Sequence, residues 1–252
     1  MNKYVSGAYT VEIPYTGSKR FYFPEIPQLR NKRIKHIDYV SNLAPSGKTA
    51  IPFSSAMCLN VVEANTGQQL IDSLAVTQLR TLGERLFINK IFDLQRCYFE
   101  YKGTADLTNL SLVCVLWYDE PVSWSLVNET NQRTKILPLQ ILLKSGKTYF
   151  SENINFKEAA ILNMFLASGA YAPDGSPLIT SGANKFITLS YKNTEYIHQL
   201  PLGILSQVLD FFPLRFQGIK IDLQKSYIET LTTGVNDLKT VFMNCVIDDS
   251  TK

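Results

Sequence analysis

The chain has 252 residues, 45% of them hydrophobic and 19% charged, with a formal net charge of +3. That apolar content can fill two cores of moderate size, while so mild and dispersed a charge does not argue for nucleic-acid binding on its own. No apolar run approaches the ~18 residues that a membrane-spanning helix needs, and Met1-Asn2-Lys3-Tyr4 leads into polar residues, so no signal peptide is expected.

Along the chain, short apolar segments alternate with turn chemistry. Thr10 to Ile13, Arg33 to Val40 and Leu110 to Trp117 are β-branched or aromatic-rich and read as strands. Between them stand Pro24, Pro27, the Ala-Pro-Ser-Gly turn at 44–47 and Asn65-Thr66-Gly67. Gln68 to Leu86 departs from this pattern, because Leu70, Ile71, Leu74, Leu79, Leu82 and Leu86 recur mostly at helical spacing. The polar stretch Asp119 to Lys135 reads as a linker, although Val122, Trp124 and Leu126 suggest that part of it packs. Beyond it come strand patterns at Lys185 to Tyr191 and Leu238 to Val246, turns at 172–175 and 232–234, and a short helical pattern from Leu202 to Phe211, stopped by Pro213.

The second half repeats the first. Phe92-Asp-Leu-Gln-Arg-Cys-Tyr-Phe-Glu100 returns as Ile221-Asp-Leu-Gln-Lys-Ser-Tyr-Ile-Glu229, with five identities in nine and an offset of 129 (93 to 222). Ser18-Lys-Arg-Phe-Tyr-Phe23 resembles Ser145-Gly-Lys-Thr-Tyr-Phe150, and Ala44-Pro-Ser-Gly47 resembles Ala172-Pro-Asp-Gly175, at offsets of 127 (18 to 145) and 128 (44 to 172). A period of that size is a whole domain rather than a solenoid repeat. The expected layout is a first domain at 1–122, a linker at 123–135 and a second domain at 136–252. Within the repeated segment, Phe92, Leu94 and Tyr98, like Ile221, Leu223 and Tyr227, are expected on one face of a strand. The expected fold class is all-β: two tandem jelly-roll barrels, each with a short inserted helix, because each copy is too long for an immunoglobulin sandwich and lacks its cysteine–tryptophan–cysteine pattern.

A search for chemistry finds none. His36 and His198 occupy non-equivalent places and do not make a metal cluster. Asp119-Glu120 and Asp248-Asp249 sit at segment ends in polar surroundings, where solvated turns are expected. No nucleophile elbow or zincin motif occurs, and Gly-Lys-Thr at 47–49 and 146–148 lacks the upstream glycine of a phosphate loop. Cys58, Cys97, Cys114 and Cys245 show no paired spacing and are expected as free, buried thiols. No catalytic residue, metal or cofactor is therefore expected. One basic cluster stands out: Arg30, Lys32, Arg33 and Lys35 on a strand edge, a candidate surface for a membrane or a neighbouring subunit.

Two fused copies of such a domain, with no catalytic constellation, resemble the double jelly-roll major capsid proteins of tailless icosahedral viruses, many of them membrane-containing bacteriophages. The resemblance covers Tyr9 to Ile247 and rests on architecture and duplication. It implies a homotrimer with a pseudo-hexagonal outline that tiles a virion shell, assembled in the host cytoplasm. The implied partners are other capsomers, minor capsid or vertex proteins and, where one is present, an internal viral membrane, without sequence-specific nucleic-acid binding. The alternatives are a minor capsid, vertex or spike protein, and a tandem β-sandwich that binds or processes carbohydrate.

Overall fold

The computed structural model describes residues 3–41, 43–82, 88–122, 134–157, 160–166, 184–206, 215–231 and 240–248. Its regular structure is nearly all strand, with two short helices. No helix among the described residues is long and apolar enough to cross a membrane. The chain divides into two compact units, Tyr9–Asp119 and a second made of Met1–Ala8 with Glu120–Lys252. The first eight residues, expected with the first half, thus group with the second unit. Of the expected linker, 123–133 lie outside the described residues, and Thr134 and Lys135 already belong to a strand.

The first unit contains the end of β1 (Lys3–Pro14), then β2 (Arg20–Tyr22), β3 (Arg33–Val40), a two-residue β4 (Thr49–Ala50), β5 (Met57–Val62), β6 (Gln69–Ala75), helix α1 (Val76–Leu82), β7 (Lys90–Ile91), β8 (Tyr98–Tyr101) and β9 (Leu110–Val122). One sheet has the order β1-β9-β3-β7, with β4 parallel to β9, and the other has the order β2-β8-β5-β6. Leaving β4 aside and counting eight strands, the partners are first with eighth, second with seventh, third with sixth and fourth with fifth. The inner faces meet in an aromatic-rich core: Phe23, Tyr39 and Phe99 are buried there, with Phe99 ring centroids 5.6 Å from Phe23 and 6.0 Å from Tyr39. The Tyr39 hydroxyl reaches the Ile51 carbonyl (2.9 Å), so its one polar atom stays satisfied inside the core.

The second unit repeats this order. Its strands are β10 (Thr134–Leu142), β11 (Gly146–Tyr149), β12 (Ala160–Leu166), β13 (Lys185–Tyr191), β14 (Thr194–Pro201), β15 (Arg215–Lys220), β16 (Tyr227–Thr230) and β17 (Thr240–Asp248), with helix α2 (Leu202–Ser206) after β14. The sheets run β10-β17-β12-β15 and β11-β16-β13-β14, so the eight strands take the same partners in the same order. Pro138 is tolerated in β10 because, among the described residues, that strand ends its sheet and pairs on one side only. The third strand of each unit carries a register shift at the same place, between Ile34 and His36 in β3 and between Ile161 and Asn163 in β12. Repetition at the level of a bulge shows that the duplication extends to local backbone geometry.

The first helical pattern is partly strand. The helical pattern Gln68 to Leu86 is strand β6 up to Ala75 and helix only from Val76 to Leu82; residues 83–87 lie outside the described set. Leu70, Ile71 and Leu74 satisfy helical spacing because irregularities in the β5–β6 pairing, with Ser73 at φ 51°, break the two-residue period. The second helix starts at Leu202, as expected, and is described to Ser206; residues 207–214, with Pro213, lie outside the described residues.

The repeated Asp-Leu-Gln segment is not a strand. Leu94–Arg96 and Leu223–Lys225 each form one 3-10 turn, between the sixth and seventh strands. Each turn is fastened to the end of the fourth strand. The Asp93 N–H donates to the Val62 carbonyl (2.9 Å), and the Asp222 N–H donates to the Ser190 carbonyl (2.7 Å). The residue after each turn completes the clasp with its side chain. Cys97 Sγ accepts from the Val62 N–H (3.3 Å), whereas Ser226 Oγ accepts from the Ser190 N–H (3.1 Å) and donates to the Asp222 carbonyl (2.7 Å). Both side chains are fully buried, so a donor left behind has no water to turn to. Ser226→Ala is expected to lower stability by about 1–3 kcal/mol in urea unfolding. Cys97→Ser, which installs the clasp of the other unit, should cost less than Cys97→Val; equal losses would show that the polar clasp contributes nothing.

Candidate functional site

The basic cluster is resolved residue by residue. Arg30 follows a 3-10 turn (Pro27–Leu29) and pairs with Glu25, both side chains exposed. Asn31 sits at φ 63°, a conformation asparagine accepts more readily than most residues, and turns the chain into β3. Lys32 places Nζ 4.7 Å from the centroid of the Tyr118 ring, and Tyr118 belongs to the core. Arg33 is exposed at the start of β3, opposite Ile91 on one side and Asp119 on the other. Lys35 occupies the bulge and forms an ion pair with Asp119, with side chains only 16% and 15% exposed. The bulge also lets consecutive residues Lys35 and His36 escape strict alternation. The cluster is therefore not one open basic face: Lys32 and Lys35 are drawn onto β9, and Arg30 is tied to Glu25. Sequence alone could not show this, because Tyr118 and Asp119 lie more than eighty positions away.

The same strand pair holds the most organised polar chain of the first unit. His36 Nε2 lies 2.8 Å from Asp38 Oδ1, and the Trp117 indole N–H donates to Asp38 Oδ2 (2.7 Å). Trp117 is buried, but on the face of β9 that alternates with the core residues Leu116 and Tyr118. His198 sits on β14 with Nδ1 2.6 Å from Glu195 Oε2. Each histidine thus has a carboxylate on its own strand. Trp124 lies outside the described residues.

Other ionisable groups carry the signs of structural duty. Glu63 is buried, accepts from the Thr66 hydroxyl (2.6 Å) and pairs with Lys90 (3.0 Å). The Thr66 hydrogen bond, more than the lysine, lowers its pKa, the opposite of what a carboxyl acting as general acid requires. Among the described residues no group of three or more His, Cys, Asp or Glu side chains is placed to hold a metal ion. The Ala-Pro-Ser-Gly turn at 44–47 is held by Glu12, whose carboxylate accepts from the Ser46 N–H (2.9 Å), and shaped by Gly47 at φ +85°, which L side chains rarely adopt. Its counterpart at 172–175 lies outside the described residues.

A different surface feature is present in both units. On β2, Arg20 and Tyr22 project outward while Phe21 is buried between them. Tyr22 stands opposite Tyr98 with ring centroids 5.1 Å apart, and Arg20 stands opposite Glu100 with Nε 2.9 Å from Oε1. The Arg20 guanidinium lies 5.1 Å from the Tyr98 centroid. On β11 the same grid returns: Tyr149 opposite Tyr227 with centroids 5.4 Å apart, Lys147 opposite Glu229, and Lys147 Nζ 4.5 Å from the Tyr227 centroid. Tyr22 and Tyr149 are 47% and 54% exposed. The matching Ser18 to Phe23 and Ser145 to Phe150 segments were visible in sequence; their outward direction was not.

Two measurements check these placements. All four thiols are free and buried, and burial pushes Cys97 and Cys245 up to about 12 and Cys114 upward as well. A thiol reagent at pH 8 should leave the folded protein unlabelled over minutes and count four thiols once it is unfolded; rapid labelling of folded protein would contradict the burial. Lys35→Met should destabilise the protein by about 1–3 kcal/mol in urea unfolding, since it strands a largely buried carboxylate. It should leave binding to anionic vesicles unchanged, and a matching loss of vesicle binding would return Lys35 to the exposed surface.

No protein-family model, curated protein or solved structure matches the chain.

Proposed function

We propose that this chain is a viral capsid subunit, a double jelly-roll major capsid protein whose trimers form pseudo-hexagonal capsomers. The single observation that carries the reading is the strand order, repeated in both units. Partners first–eighth, second–seventh, third–sixth and fourth–fifth are those of one long antiparallel hairpin, rolled so that successive pairs alternate between two sheets. That winding supports reading each unit as a jelly roll. A short helix follows the fifth strand in each unit, and the bulge in the third strand recurs as well.

Duplication within one chain suits shell building. Three chains bring six similar units around an axis, which fills a hexagonal position with half the number of separate associations that six single units need. A structural role is also favoured by where the polar groups go, since Glu63, Asp38, Asp93 and Asp222 each spend their oxygens on turns and strand ties. On this reading any membrane- or neighbour-facing charge of the basic run falls first to the exposed Arg33, because Arg30, Lys32 and Lys35 are engaged with Glu25, Tyr118 and Asp119. A minor capsid, vertex or spike protein shares the winding but associates into fivefold or fibrous assemblies.

Light scattering with negative-stain imaging of the purified full chain tests the reading. The expected result is a stable trimer of hexagonal outline. A pentamer or fibre replaces the major capsid role with a minor one, and a monomer retained on a glycan array overturns both in favour of a carbohydrate-binding sandwich.

A further inference from the structure

The duplicated grid on β2 and β11 lies at a particular place in the topology. Each strand ends its sheet, with β8 or β16 on one side and, among the described residues, no strand on the other. The backbone direction follows from the pairing. The Tyr101 N–H donates to the Lys19 carbonyl (2.8 Å) and the Phe23 N–H to the Cys97 carbonyl (3.2 Å), so residues 19, 21 and 23 turn their main-chain groups toward β8. Arg20 and Tyr22 therefore direct theirs to the open edge. In β11 the Phe150 N–H donates to the Ser226 carbonyl (3.2 Å), which sets 146 and 148 toward β16 and leaves Lys147 and Tyr149 directed outward. Both edges thus offer the same sequence of groups: a cation and a tyrosine two residues apart, with main-chain donors and acceptors at both positions. On β2 the Arg20 N–H is engaged by Ser18 Oγ (3.1 Å), so β11 is the more complete of the two.

An edge of this kind is self-complementary. If two copies approach antiparallel about residue 148, Lys147 of one stands directly opposite Tyr149 of the other, and the reverse, as hydrogen-bonded pairs. Each cation then meets a tyrosine across the seam, extending the contact that Lys147 already makes with Tyr227 and Arg20 with Tyr98. The same register serves β2 with β2 and β2 with β11. Sugar stacking is a poorer match, because one ring of each tyrosine pair already carries a cation over its face. A protected edge would account for an isolated lysine or arginine, but not for an outward tyrosine beside it in both units.

We infer that β2 and β11 are docking edges at which separate copies of this chain join, antiparallel and edge to edge, through the Arg20/Tyr22 and Lys147/Tyr149 pairs. The inference rests on the capsid reading for the choice of a second copy as partner. Each seam is only a few residues long, so it acts through multiplicity: a chain carrying two edges, or a trimer carrying six, gains from simultaneous engagement what a single edge lacks.

The test mixes two single variants of the full chain, Lys147→Cys and Tyr149→Cys, under mild oxidation. Both positions are exposed, so neither change disturbs the core. Antiparallel docking predicts disulfide-linked dimers in the mixture at least several-fold above either variant alone. No excess in the mixture overturns the proposed docking. In parallel, sedimentation velocity of Tyr22→Ser/Tyr149→Ser should show association beyond the capsomer shifted to roughly ten-fold higher concentration or more. Trimers that form and associate like the wild type sink the edges while leaving the capsid reading intact. Cross-linked dimers from a protein that never forms trimers uphold the edges and sink the capsid reading. Glycan binding with no cross-linking in the mixture overturns the edge inference.

Discussion

In each unit the fourth strand is tied, at its last buried position, to a 3-10 turn that comes about thirty residues later. This tie sets the rest. The fourth strand lies inside its sheet between the fifth and the seventh, and in β5 every residue is buried, as are Phe186 to Ser190 in β13. Such a strand cannot end in water without leaving main-chain groups unpaired. The turn meets those groups with the N–H of Asp93 or Asp222 and with the side chain of Cys97 or Ser226. In doing so it fixes where the seventh strand begins. The seventh strand then lies between the fourth and the second, so one short clasp governs the order of three strands in its sheet.

The clasp explains why the Asp-Leu-Gln segment is the most legible part of the duplication, and why its conformation was not legible. The clasp calls for an aspartate that can cap or brace a tight turn, a leucine beneath it and a small polarisable or hydroxylic group to close it. Asp222 accepts from the Gln224 N–H (3.2 Å), and Asp93 and Asp222 each face a cation three residues on, at 3.9 and 3.7 Å. Those demands preserve residue identity. Yet Phe92, Leu94 and Tyr98 fall on even positions, and one 3-10 turn between extended flanks leaves that spacing looking like a strand. The misread helix at 68–86 has the mirror-image cause. Strand β6 is irregular around Ser73, and broken alternation imitates a helical period until the true helix starts at Val76. Periodicity reports which residues are apolar; irregular backbone decides what that spacing means.

The basic strand shows a different limit. Arg30, Lys32, Arg33 and Lys35 form a cluster in sequence because they are neighbours along the chain, but their electrostatic partners come from across the sheet. Bulging at Lys35 brings its ammonium to Asp119, and the same strand pairing puts Lys32 over Tyr118. Charge that looks available in one dimension is largely used in three. By contrast, the Arg20/Tyr22 and Lys147/Tyr149 pairs look unremarkable in sequence, since a cation and a tyrosine two apart suit any half-buried strand. They gain meaning only once both are seen to project from sheet-ending strands.

Core residues in the two copies can drift as long as each core stays filled, and they have: Phe99 in one unit is matched by Ile228 in the other, both fully buried. An exposed residue is under no packing constraint of that kind, so the fold by itself gives no reason for the two outer grids to stay alike. They nonetheless agree in cation, tyrosine, partner tyrosine and carboxylate, at the same register on the same strand pair. A chain that repeats its fold obtains two similar units; a chain that also repeats an outward edge obtains two equivalent ways of meeting a neighbour. Under the proposed capsid role, that second equivalence would let a new subunit meet its neighbours through either of its halves.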